Sequence, residues 1–275
     1  MTPARFYVRA LAAPLTAFLV AATLLAVTDI DIAFARGLFF DASQHAWRGA
    51  DSWIANDLLH TGGRWLIRGI VATSLLVWLG TFAGIAPTWR RAAGFFALST
   101  VLTVGITGWL KTVTNVDCPW DLTLFGGQYP YVRLFADRPD YLRYGRCFPA
   151  AHASSGYVLL ALYFAFRERR PRLARAGLAL GIIVGLIFGL AQQSRGAHFL
   201  SHDMWSAMIA WVMPLTVYAW VFRARLWNPL WPEPEPRRHN MGSTLDPDPS
   251  ECVAVHGTKL AMPSPVAPAF GRRRH

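Results

Sequence analysis

The stretch Gln193-Ser-Arg-Gly-Ala-His-Phe-Leu-Ser-His-Asp-Met-Trp205 is a polar island between two long apolar runs. Arg195, His198 and His202 are spaced i, i+3, i+7, so a helix there places all three on one face. Asp203 follows directly. Lys111 and His152 stand at the ends of other apolar runs. Lysine and arginine cations suit an oxyanion such as phosphate, and the guanidinium can hold it bidentately. One histidine can attack phosphorus while another protonates the leaving oxygen. A polar neighbour can fix the attacking tautomer. No carboxylate cluster stands ready for Mg²⁺, and the cysteines show no metal-type spacing. No metal and no cofactor are therefore expected, and the chemistry reads as phosphoryl transfer with charge stabilisation by side chains. The competing reading is an interfacial loop whose polar residues meet lipid headgroups.

These groups must be positioned by membrane helices. The chain is 53% hydrophobic and only 16% charged, and several apolar runs reach the ~20 residues that cross a bilayer. Six spans are expected, at about Val8–Val27, Trp65–Ala86, Ala92–Leu110, Ala153–Phe166, Ala174–Ala191 and Met204–Phe222. The net charge of +11 raises nucleic acid as a partner. The arginines instead cluster at span ends and in the tail, which fits the inner face of a membrane and excludes that partner. Basic connectors then fall on one side, with cytoplasmic termini and with 29–64, 111–151 and 194–203 facing outward. Within 29–64, Trp47–Leu59 is expected as a short interfacial helix. Glycines 177, 181, 185 and 189 recur every fourth residue, which reads as a helix-packing face. The tail after about Asn228 is rich in proline and reads as disordered.

Lys111, His152 and the 195–203 cluster lie at one depth and can meet in one pocket. Three motifs run through them in order. Lys111 is followed by six residues, then Cys118-Pro119. Pro149-Ala-Ala-His152 opens the fourth span. Ser194-Arg195 precedes His198 and His202. Over about 92–222 the chain resembles the type 2 phosphatidic acid phosphatase superfamily, whose pattern is Lys-x6-Arg-Pro, Pro-Ser-Gly-His and Ser-Arg-x5-His-x3-Asp. The resemblance implies a six-helix fold with an outward-facing site. It makes His198 the nucleophile on the Gly-Ala-His-Phe alignment, with His202 as its rival, and His152 the general acid. His202 then takes the aspartate position and Asp203 lies one residue late. Lys111 and Arg195 hold phosphate. Cys118 stands where an arginine is expected. Arg133, Arg138, Arg143 or Arg146 can replace that charge, and Arg146 is nearest in sequence to His152.

The expected protein is thus all-α: a two-span region (1–91), a four-span catalytic core (92–225) and a disordered cytoplasmic tail (226–275). It sits in a bacterial-type inner membrane and removes phosphate from a lipid phosphate or polyprenyl diphosphate through a phosphohistidine. Its partners are membrane lipid and the phosphorylated lipid; the oligomeric state is left open. A lipid phosphotransferase uses the same parts, and a degenerate lipid-binding or scaffold protein is the non-enzymatic alternative. Cys118 and Cys147 share the outward segment 111–151, and each flanks a motif. If the motifs converge the two must come close, so a disulfide is expected.

Overall fold

A computed structural model of the chain describes residues 3–168 and 170–223, which belong to one compact unit. The tail expected to be disordered lies outside the described residues. The fold is all-helical apart from one small hairpin. Helix α1 spans Pro3–Val27 and α2 spans Ile30–Leu38. Strands β1 (Phe40–Asp41) and β2 (Ala46–Trp47) pair antiparallel. A π-helical stretch, Ile54–Gly62, runs straight into α3 (Gly63–Gly80). Helix α4 is Arg90–Val113. Helix α5 (Ala151–Tyr157) continues through a 3₁₀ turn into α6 (Ala161–Phe166). Helices α7 (Pro171–Ser194) and α8 (Leu200–Arg223) complete the described chain.

Local sequence sets these boundaries. Proline at the first position of α7 has the φ a helix start needs and no N–H to leave unpaired. After α3, Gly84 takes a left-handed φ of 82° and Ile85 N–H bonds back to the Gly80 carbonyl, which stops the helix. Four helical segments are long and apolar enough to cross a membrane: Phe6–Val27, Ile54–Ala83, Pro87–Val113 and Pro171–Ser194. The apolar helix Ala151–Phe166 is shorter. The chain is therefore a membrane protein; a count of six goes beyond these four segments.

The expected interfacial helix over Trp47–Leu59 is not what forms. Trp47 belongs to β2, and helix begins only at Ile54. Its backbone register is i→i+5, the wider π-helical turn. Helix α2 was not expected at all.

Two packing devices hold the bundle. The glycines of α7 face α5, α6 and α8: a Cβ at Gly181 would lie 2.7 Å from Leu160 N, one at Gly177 2.6 Å from Leu162 Cβ, and one at Gly185 would overlap the Tyr157 ring. On α4, Ser99, Thr103 and Thr107 recur every fourth residue and are buried. Thr103 and Thr107 each donate to the carbonyl four residues back, which satisfies them locally, and Thr107 Oγ1 reaches Ser154 Oγ on α5 at 3.0 Å. The main apolar core gathers Phe6, Phe95, Phe96, Phe164, Leu215 and Tyr218. A second aromatic cluster, Phe40, Trp47, Phe125 and Phe199, packs against the loop that joins α7 to α8.

Candidate active site

The loop between α7 and α8 is held from three directions. Gly49 donates its N–H to the Ser194 carbonyl at 2.9 Å, and Trp120 donates to the Gly196 carbonyl at 2.9 Å. Gly196 has φ 77°, and any side chain there would run into the Trp47 indole, so both conformation and space demand glycine. The buried Asp31 of α2 accepts the Ser201 N–H at 3.0 Å. A carboxylate from a distant helix thereby caps the positive end of α8. Ser201 itself lies inside the first turn of α8.

In this frame His198 is buried, with His202 beside it. Their Nδ1 atoms are 3.3 Å apart, a geometry in which one ring donates and the other accepts. The backbone of Cys147 faces both imidazoles. Burial holds His198 well below the ordinary histidine range, and the charge of Lys111 and the neighbouring His202 and His152 push the same way. His198 at neutral pH is therefore an uncharged imidazole with a lone pair.

His152 sits at the start of α5. Its Nε2 is 2.9 Å from the Leu59 carbonyl. A carbonyl can only accept, so this nitrogen carries the proton. The ring stacks on Phe188 at 4.5 Å and meets the edge of His60 at 5.1 Å. Gly63 permits this: a Cβ there would lie 2.6 Å from Phe188 Cζ. Beside it the Arg64 guanidinium lies 2.7 Å from His60 Nε2. Arg195 donates to Gln192 Oε1 at 3.0 Å. When the third motif is aligned on His198, its arginine position falls on Gln192, so Arg195 rests against the residue at that position. Burial and then the Arg64 charge hold Arg195 below its ordinary value. The two guanidinium groups therefore share one neighbourhood.

Lys111, His152, Arg195, His198 and His202 are thus brought into one neighbourhood. Asp203 is not turned toward His198. Its Oδ2 accepts from Gln193 and lies over Gly189, while its Oδ1 has no partner. Successive helical residues point about 100° apart, so His202 faces the site and Asp203 faces α7. Of the arginines weighed against Cys118, Arg133 pairs with Asp29 (2.7 Å), Arg138 with Asp117 (2.6 Å) and Arg143 with Asp121 (2.8 Å). Arg146 is exposed. Cys118 and Cys147 are joined as a disulfide, with Cα atoms 5.1 Å apart.

Sequence reasoning missed His60, Arg64, Asp31 and the Leu59 carbonyl. The i, i+4 pair His60/Arg64 at the mouth of an apolar run was a readable signal; the carbonyl had none. A family model described as the PAP2 superfamily matches residues 92–226. Searches of curated proteins and of solved structures give no match.

Proposed function

Because the chain belongs to the PAP2 superfamily, that of the type 2 phosphatidic acid phosphatases, across residues 92–226, we propose that it is a metal-independent membrane phosphatase. Membership implies phosphatase-type activity on lipid phosphates. The finer reading is a phosphohistidine mechanism at the outer face of a six-span bundle, in a bacterial-type inner membrane with cytoplasmic termini.

The observation that carries this reading is the buried, uncharged His198, set against His202 and beside Lys111 and His152. With Nδ1 engaged by His202, Nε2 is the nitrogen left to attack phosphorus. The P–O bond to the lipid breaks as the N–P bond forms. With Nε2–H held by the Leu59 carbonyl, His152, protonated beside the arriving phosphate charge, gives the proton on its other ring nitrogen, Nδ1, to the departing oxygen and becomes neutral. Lys111 and Arg195 balance the charge on the non-bridging oxygens. Water then attacks phosphorus, with its proton going back to His152, and His198 is released. Arg146, exposed on the outward segment, fits an outer contact to an arriving headgroup rather than the reacting phosphate. Asp203 acts through α7, holding the helix that carries Arg195.

The test is phosphate release by purified protein from a panel of lipid phosphates in the presence of chelator, with His198→Ala as the control. Release by wild type and none by the variant is expected. Equal release by both, or release only after Mg²⁺ is added, would overturn the reading.

A further inference from the structure

We propose that Arg64, backed by His60, is an anion-binding residue of this site on its leaving-group side, and that it selects lipid diphosphates over lipid monophosphates. This rests on the reading above, in which His152 protonates the leaving oxygen.

The motif-one position that should carry a guanidinium holds Cys118, and Cys118 is spent in a disulfide. Three of the four arginines in the outward segment are paired with carboxylates. Arg64 comes from outside the matched family region, at the first turn of α3. Among the described residues neither Arg64 nor Arg195 pairs with a carboxylate. Arg64 is exposed and Arg195 half-buried, so both guanidinium groups are open to an arriving anion.

Position decides which part of the substrate that anion belongs to. The guanidinium rests on His60, 2.7 Å from its Nε2, and the His60 ring meets the edge of the His152 ring. Arg64 therefore stands behind the proton donor and not behind His198. In a monophosphate ester the leaving group is a neutral alcohol with nothing for a guanidinium to hold. In a diphosphate it is a lipid monophosphate, whose non-bridging oxygens fit such a group. Its negative charge grows as the bond breaks, so the contact strengthens toward the transition state. Gly63 and Phe188 fix the distance between the two walls, since any side chain at 63 would push α3 away from the stacked His152.

The experiment compares kcat/KM for farnesyl diphosphate and farnesyl monophosphate in wild type, Arg64→Met and Arg64→Lys. It also measures inorganic pyrophosphate and orthophosphate binding to His198→Ala with and without Arg64→Met. Arg64→Met should lower the diphosphate value at least roughly tenfold, as for a lost charge-assisted hydrogen bond, and leave the monophosphate within about threefold. Arg64→Lys keeps the charge without the fork and should fall between. Pyrophosphate should bind His198→Ala more tightly than orthophosphate, and Arg64→Met should remove that preference. Equal losses on both substrates, or unchanged discrimination in both variants, would overturn the proposal. If no lipid phosphate is turned over yet pyrophosphate binding still depends on Arg64, the mechanism falls and the anion site stands. If turnover proceeds with Arg64 irrelevant to either measurement, the reverse holds.

Discussion

Replacing both Cys118 and Cys147 by serine should loosen the segment 119–146 by an amount the loop itself sets. The bridge closes a loop with a sequence separation of 29 residues. In the chain-entropy model a loop of that length costs the opened segment about 12 cal/mol/K, or roughly 3.5 kcal/mol at 25 °C. Local opening should therefore become a few hundred-fold more frequent when the bridge is absent. The amides that report it are those of Gly127 and Tyr129, bonded to the Leu122 and Asp121 carbonyls, and of Cys147, bonded to Val116. Hydrogen exchange in detergent, read by mass spectrometry over 119–147, should show protection falling toward that factor, while α7 stays protected. Phosphate release should fall in the same preparation, because the Cys147 backbone faces both His198 and His202. Protection unchanged within about twofold would refute the reasoning. It would mean that the ion pairs Arg138–Asp117 and Arg143–Asp121, not the covalent bridge, keep the segment closed.

Other outcomes follow from the same geometry. His198→Ala should abolish turnover and any phosphoenzyme, whereas His202→Ala should leave a slow residual rate, since an orienting group contributes less than the nucleophile; a phosphoenzyme in His198→Ala would exchange the two roles. His198 has a depressed pKa in the folded protein, so the unfolded chain binds the extra proton first. Its stabilising contribution is complete above the ordinary histidine pKa near ~6.5 and is lost as pH falls below that value. The acid limb of kcat/KM should likewise lie below the usual histidine range, and a limb at or above it would show that His198 is solvated. Asp31→Ala removes the cap on the Ser201 N–H and should cost about 1 kcal/mol of stability, seen as a lower melting temperature in detergent. Gly185→Val should prevent α7 from packing on Tyr157; an overfilled contact of this kind costs about 1–3 kcal/mol or more, and a normal melting temperature would contradict the close approach.

Residues at the ends of apolar runs were the legible ones. Lys111, His152 and His198 interrupt hydrophobic stretches, and the membrane confines such interruptions to a few depths. The glycines of α7 were legible as a packing face because their period is that of the helix. The site's front wall was not. The π-helical stretch depends on an i→i+5 register that no hydrophobic period announces. The Leu59 carbonyl leaves no trace in side-chain identity. Asp31 and Ser201 are 170 residues apart, and only the fold makes them neighbours. The direction of Asp203 was not legible either: it follows His202 in sequence, but successive residues on a helix point about 100° apart, and its carboxylate meets Gln193 instead.

The contact between Gly49 and Ser194 also constrains the order of assembly during translation. The ribosome makes Trp47 and Gly49 well before the loop they support. At roughly 5–20 residues per second, the early connector waits on the order of ten to thirty seconds for that loop to be synthesised. During this interval Trp47 and Phe40 face water without Phe199 against them. The half-made chain lacks His198 and the loop that carries it, and it is most vulnerable to aggregation and proteolysis at its aromatic connector. Growth conditions that slow elongation should therefore lower the yield of folded protein more than the yield of message.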